Sequence, residues 1–113
     1  MKFRLALAIL PALLPALAGA FDYPTVERVE FVHACMRDNP GPAQEMTYKC
    51  SCVIDAIARD LSYEDYVDAS TAAKAYSIAG EKGESIRDND VLKKLATRYR
   101  EAQAQAKKSC FVR

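Results

Sequence analysis

The sequence predicts an all-α fold: a small four-helix bundle, stapled by disulfides and preceded by a cleaved signal peptide. Two observations carry that prediction. Apolar residues recur at spacings of three and four in four separate segments, and no segment alternates with the two-residue period of a strand. All four cysteines, Cys35, Cys50, Cys52 and Cys110, lie within residues 21–113, behind an apolar N-terminal run. An even cysteine count behind a secretory leader marks a small domain that supplements a modest core with bridges.

The leader opens with Met1-Lys2-Phe3-Arg4, a positive start, and continues as an apolar run over residues 5–18 interrupted only by Pro11 and Pro15. Such a run is too short to cross a bilayer as a helix. Ala18-Gly19-Ala20 then meets the small-x-small cleavage rule and places the mature N-terminus at Phe21. The layout resembles a bacterial Sec signal, which implies the periplasm or the medium as destination. Residues 1–20 are thus expected to be removed, leaving residues 21–113 as a single helical domain with no membrane span. Of 16 Lys and Arg in the chain, Lys2 and Arg4 go with the leader, which brings the remainder close to balance with 15 Asp and Glu. No basic surplus remains for a phosphate backbone, so nucleic acid is not an expected partner.

Pro24 and Thr25 open the first helix, where Val26, Val29, Val32 and Cys35 recur every third residue, and Asn39-Pro40-Gly41-Pro42 stops it. The second helix covers residues 43–61, with Met46, Cys50, Val53, Ile54, Ile57 and Leu61 forming a continuous apolar stripe. Ser62 is placed to cap a third helix over residues 63–79, with Asp65 three positions on, as in a capping box. Its Tyr66, Val67, Ser70, Ala73 and Tyr76/Ser77 pattern is rich in small residues. Gly80-Glu81-Lys82-Gly83-Glu84-Ser85 reads as an exposed loop, and Asp88 or Asp90 as the cap of a last helix ending near Lys108. Leu92, Leu95, Tyr99, Ala102 and Ala106 form its seam, and the four helices are expected to pack around the second.

Within a helix, Cys50 and Cys52 lie about 200° apart around the axis, so their side chains leave in different directions and a bridge between them would break the helix. Two pairings remain. In an antiparallel hairpin Cys35 and Cys50 match in height, leaving Cys52 for Cys110; the slipped alternative joins Cys35 to Cys52 and Cys50 to Cys110. The first is preferred, and it ties the second helix to the first on one side and to the chain's C-terminal end on the other. Were the thiols reduced, Cys50, Cys52 and Met46, with His33, Cys35 and Met36 nearby, would offer soft ligands suited to Cu(I). Met36 and Met46 equally suit a helical core as gap-fillers. A Cys-x-Cys redox pair would need an electropositive, exposed setting, and Lys49 is its only adjacent cation.

Glu64, Asp65 and Asp68 begin the third helix, where acidic groups complement the positive end of the helix dipole. Glu81, Glu84, Asp88 and Asp90 lack the regular ligand order of a calcium loop. No nucleophile elbow, phosphate loop or paired-histidine zinc motif is present, and a single histidine excludes most acid/base triads. No catalytic residue, cofactor or resident metal is therefore expected. There are six tyrosines and no tryptophan; most tyrosines are expected as core rings with hydroxyls at the surface. Tyr63, Tyr66 and Tyr76, beside residues 80–90, form the expected partner surface, since tyrosine offers large contact area with little flexibility.

Cys35-Met36-Arg37-Asp38-Asn39, Tyr48-Lys49-Cys50-Ser51-Cys52-Val53-Ile54-Asp55-Ala56-Ile57-Ala58 and Leu61-Ser62-Tyr63-Glu64-Asp65-Tyr66 resemble a type of small four-cysteine helical periplasmic protein of proteobacteria. The resemblance covers most of residues 21–113 and implies a place beside quinoprotein dehydrogenase and c-type cytochrome systems, without assigning an activity or site residues. In general design the domain also resembles small helical periplasmic acid-stress chaperones with a disulfide, from which the Cys-x-Cys pair departs. The expectation is a non-enzymatic accessory or binding protein with an envelope protein as partner. Mass spectrometry of the secreted protein, with thiols trapped before any reduction, should find Phe21 as first residue, two bridges, no trapped thiol and no metal. Trapped thiols at Cys50 and Cys52, or bound copper, would favour metal or thiol handling instead.

Overall fold

The computed structural model describes residues 23–78 and 81–113. The leader and its cleavage site lie outside the described residues. Among these, five helices and no strand are found: α1 (Thr25–Asp38), α2 (Ala43–Asp60), α3 (Tyr63–Tyr76), α4 (Glu81–Arg87) and α5 (Asp90–Ser109). The fold is all-α as expected, with one helix more than the four foreseen. The extra element is α4, in the segment read as a loop on its two glycines. Gly83 is buried inside α4, and a Cβ there would lie 1.9 Å from the Ile78 carbonyl oxygen. The glycine therefore permits close approach of two backbones rather than marking a turn. Arg87 donates from Nη1 to the same carbonyl at 2.9 Å, closing α4 onto the end of α3.

α1 and α2 form an antiparallel hairpin, because Cys35 meets Cys50 while Arg28, further back along α1, meets Asp55, further on along α2. The face that α1 buries differs from the expected valine stripe. Val26 and Val29 are exposed, while Phe31, Val32, Cys35 and Met36 lie in or against the core. Each three-residue step falls about 60° short of a full turn at 3.6 residues per turn, so Val26 and Cys35, three such steps apart, emerge on opposite sides. On α2 spacings of three and four alternate and the drift cancels. Val53, Ile54, Ile57 and the following Leu61 are all at most 1% exposed, each stabilising the fold by roughly 1.5–3 kcal/mol through removal from water.

α2 packs against α1 and α5, α3 packs chiefly on α5, and α4 rests on both α3 and α5. The expectation that all helices surround α2 is thus corrected: α2 and α5 share the central role. The reason is residue size. The buried positions of α3 are Tyr66 and the small Ala69, Ser70 and Ala72, and α5 contributes Ala96 at 0% exposure. Small side chains on both helices allow close approach, and this seam lies apart from the larger core cluster built on α2. Ala96 is absent from the expected α5 seam; of that seam, Ala102 and Ala106 are fully buried and Leu92, Leu95 and Tyr99 half-buried.

Ser62 caps α3, accepting from the Asp65 backbone N–H at 3.1 Å. The Asp65 carboxylate pairs with Arg98 of α5 at 3.4 Å. α3 ends at Tyr76 through tightened i to i+3 bonds, Ser77 N–H to Lys74 and Ile78 N–H to Ala75. The cap of α5 is Asn89, not Asp88 or Asp90: its Oδ1 accepts from Val91 and Leu92 N–H at 3.0 and 3.2 Å. Any of these three side chains can cap, and only the chain's exit from α4 decides which takes the cap position. Asn89→Ala should lower stability by about 1 kcal/mol and Asp88→Ala by less than roughly 0.5 kcal/mol in denaturant unfolding; the reverse ranking would refute the assignment.

Candidate site: a tyrosine-floored cleft between α1 and the α3–α5 pair

Both bridges join the preferred partners, Cys35–Cys50 and Cys52–Cys110, with Cα separations of 5.9 and 5.8 Å. The divergence of Cys50 and Cys52 around α2 is what makes this possible: Cys50 is fully buried towards α1, and Cys52 turns outward to Cys110. A Cu(I) site at Cys50, Cys52 and Met46 requires thiolates, and both sulfurs are held in bridges. Met46 is buried in the core, where its Cγ and Sδ sit 3.0 and 3.2 Å from the position a Cβ on Gly41 would take. Met36 accepts at Sδ from Thr47 Oγ1 at 3.6 Å, and His33 is exposed. Among the described residues no three His, Cys, Asp or Glu side chains converge in a way that would hold a metal.

The expected tyrosine surface is partly dismantled. Tyr66 is only 4% exposed and belongs to the core, so it cannot serve as a surface contact. Tyr63 and Tyr76 are half-buried, and the guanidinium of Arg100 lies 5.0 Å from the Tyr76 ring centroid. Residues 80–90, taken as a neighbouring loop, contain α4. Instead, Tyr66 joins an aromatic cluster with Tyr23, Tyr63 and Tyr99, at centroid separations of 4.7, 6.4 and 5.9 Å from it. Tyr23 is also buried, and its hydroxyl donates to the Leu61 carbonyl at 2.9 Å instead of reaching water. Arg28 holds the Tyr23 backbone carbonyl through Nε at 3.4 Å and Asp55 through Nη1 at 2.6 Å.

The Tyr66 hydroxyl donates to Glu27 Oε1 at 3.2 Å, joining the first turn of α1 to α3. Beside this bond opens a cleft of about 580 Å³. Phe31, Cys35, Val53, Tyr66 and Tyr99 contribute its apolar and aromatic lining. Glu27, Glu30 and Asp38 stand on the α1 side together with Arg37 and His33, and Lys74 and Lys107 face them from α3 and α5. The walls thus carry mainly opposite charge across an aromatic floor. The cleft exists because α1 packs chiefly on α2 and meets α3 mainly through the Tyr66–Glu27 bond at its first turn.

Sequence reasoning missed Glu27, Phe31, Lys74 and Lys107 as a group, because no periodicity relates one helix to another. Glu27 in a first turn is explained equally well by the helix dipole; only the position of Tyr66 shows its second contact. No protein family, curated protein or solved structure matches this chain.

Burial is the main reason that the phenols of Tyr23, Tyr66 and Tyr99 resist ionisation. It pushes Tyr23 up to about 12, against an opposing pull from Arg28. Tyr66 is raised further, first by burial and then by Tyr99 and the Glu27 carboxylate; Tyr99 is raised by burial and Glu27. In the unfolded chain these groups ionise near 10.0, so the native state binds the protons more tightly. Their contribution is intact below pH 10 and is lost as the pH climbs through the raised native values, which for Tyr23 is about 12. Alkaline titration followed by tyrosinate absorbance and circular dichroism should show late ionisation coinciding with loss of helix. Complete ionisation of all six tyrosines near pH 10 with helices intact would contradict the buried cluster.

Proposed function

We propose that this chain is a non-enzymatic accessory protein of an oxidising envelope compartment, and that it engages a protein partner through the α1 to α3–α5 cleft. The cleft itself is the observation that carries this reading: an aromatic floor between walls of mainly opposite charge, on a frame with two disulfides. Aromatic rings offer contact area with little conformational entropy to lose, and flanking charges fix orientation and speed encounter. A segment carrying basic groups towards Glu27 and Glu30 and acidic groups towards Lys74 and Lys107 would be complementary. The two bridges suit secretion, and no helix among the described residues is long and apolar enough to cross a membrane.

The resemblance to periplasmic proteins found beside quinoprotein dehydrogenases and c-type cytochromes makes such a redox protein the first partner to test. Isotope-labelled oxidised protein, titrated with a purified quinoprotein dehydrogenase or c-type cytochrome, should show amide shifts concentrated at Glu27, Glu30, Phe31, Lys74 and Lys107. The affinity should fall with added salt and with the charge reversal Lys74→Glu. Shifts confined to another face, or none with either partner, would overturn the proposal.

A further inference from the structure

The two bridges sit in opposite environments. Cys50 is 0% exposed and Cys35, at the edge of the cleft, only 8%, so both ends of the first bridge are largely covered. In the second, Cys110 is 4% exposed while Cys52 is exposed. The Cys52 end of that bridge therefore faces solvent and the Cys110 end lies inside. Neither Cys52 nor Cys110 lines the cleft between α1 and the α3–α5 pair, and of the charged residues near this bridge only Lys107 reaches it.

Two large exposed aromatic side chains stand near this exposed end of the bridge. Tyr48, 73% exposed, precedes Cys52 by four residues and so lies on the same face of α2, one turn away. Phe111, 79% exposed, directly follows Cys110 and holds φ at 58°, the left-handed region that a bulky side chain ordinarily avoids. Its backbone is fixed there by the end of α5, where Phe111 N–H bonds to the Lys108 carbonyl and Val112 N–H to the Lys107 carbonyl, the paired closure usually made with glycine. Bridged Cys110 on one side and buried Val112 on the other pin the residue and leave its ring outside. A left-handed aromatic held out in water beside a half-exposed disulfide is a costly arrangement for the fold alone.

We propose that Cys52–Cys110 is an exchange-active disulfide, opened by a reduced dithiol protein that attacks Cys52, while Cys35–Cys50 is a closed structural bridge. Attack must come at the accessible sulfur. The incoming thiolate forms a bond to Cys52 Sγ as the Cys52–Cys110 bond breaks, and Cys110 leaves as a thiolate that takes up a proton. The second thiol of the reductant then displaces Cys52. Its own pair ends as a disulfide, and this chain gains two electrons and two protons as two thiols. Lys107, Lys108 and Arg113 make the neighbourhood of the leaving sulfur positive, which offsets the negative end of the α5 dipole. The Ser109 hydroxyl, 3.9 Å from Cys110 Sγ and now donating to the Ala106 carbonyl, can turn to the thiolate as it forms. Tyr48 and Phe111 supply the apolar contact surface for the dithiol protein.

The test is stepwise reduction of the oxidised secreted protein under native conditions, followed by alkylation and peptide mapping. With dithiothreitol, Cys52 and Cys110 should be labelled at concentrations that leave Cys35 and Cys50 unlabelled, with helicity retained. Prior or simultaneous labelling of Cys35 and Cys50, or labelling of any cysteine only on unfolding, would overturn the proposal. Glutathione, a monothiol, should leave its mixed disulfide on Cys52; a mixed disulfide on Cys110 would also overturn it. With reduced thioredoxin as the dithiol protein, the double variant Tyr48→Ala, Phe111→Ala should open several-fold more slowly, while its opening by dithiothreitol is unchanged. Equal rates of opening by thioredoxin in variant and parent would remove the aromatic surface from the proposal.

Discussion

A two-residue spacing on one helix organises this protein. Cys50 and Cys52 leave α2 in nearly opposite directions, so α2 is bonded to α1 on one side and to the end of α5 on the other. The sequence separations of 15 and 58 correspond to loop-closure contributions of roughly 3 and about 4 kcal/mol in the chain-entropy description of cross-links. Those magnitudes rival the net stability of a domain of this size. The longer bridge reaches across α3 and α4, so both helices lie within the loop that it closes, and the alanine seam gives α3 an extensive contact of its own with α5.

The second organising feature is the buried tyrosine cluster. A tyrosine in a core brings large apolar area together with a hydroxyl that must find a partner. Tyr23 meets this through the Leu61 carbonyl at the end of α2, and Tyr66 through Glu27 at the start of α1. These bonds hold together the ends of α1, α2 and α3, at the opposite end of the hairpin from its connecting turn. No buried side-chain nitrogen or oxygen among the described residues lacks a partner. The same Glu27 carboxylate that satisfies Tyr66 forms one edge of the cleft, so core and candidate site share a residue.

Core and cleft also explain why the partner reading moves from tyrosines on one helix to a site between helices. A ring on an apolar stripe is drawn inward wherever a neighbouring helix gives it cover, as happens to Tyr66. What remains at the surface is the flank of α1 that faces α3 and α5 across the cleft, and charged side chains from three helices gather around it. On α2 and α5, the bridge that joins them also presents its Cys52 end to solvent.

The sequence alone determined the helical class, the extents of α1 and α2 to within a residue and the Ser62 cap, and narrowed the disulfides to two pairings of which it preferred the one found. Each is a local matter, set by the period of 3.6, by proline and by the angle between side chains on one helix. Tertiary structure alone decided the rest. The valine spacing of α1 drifts around the axis, and only contact with α2 shows which side is inside. Gly83 is needed inside α4 because a Cβ there would meet the Ile78 carbonyl, a contact that the local sequence does not record. Asn89 prevails over two equally able caps through the path of the backbone. The cleft brings Glu27 beside Tyr66, 39 positions away, and the exposure of Cys52 against the burial of Cys110 depends on how α5 lies on α2. Such facts belong to distances between elements, and a one-dimensional pattern carries the faces of helices but not the spacing between them.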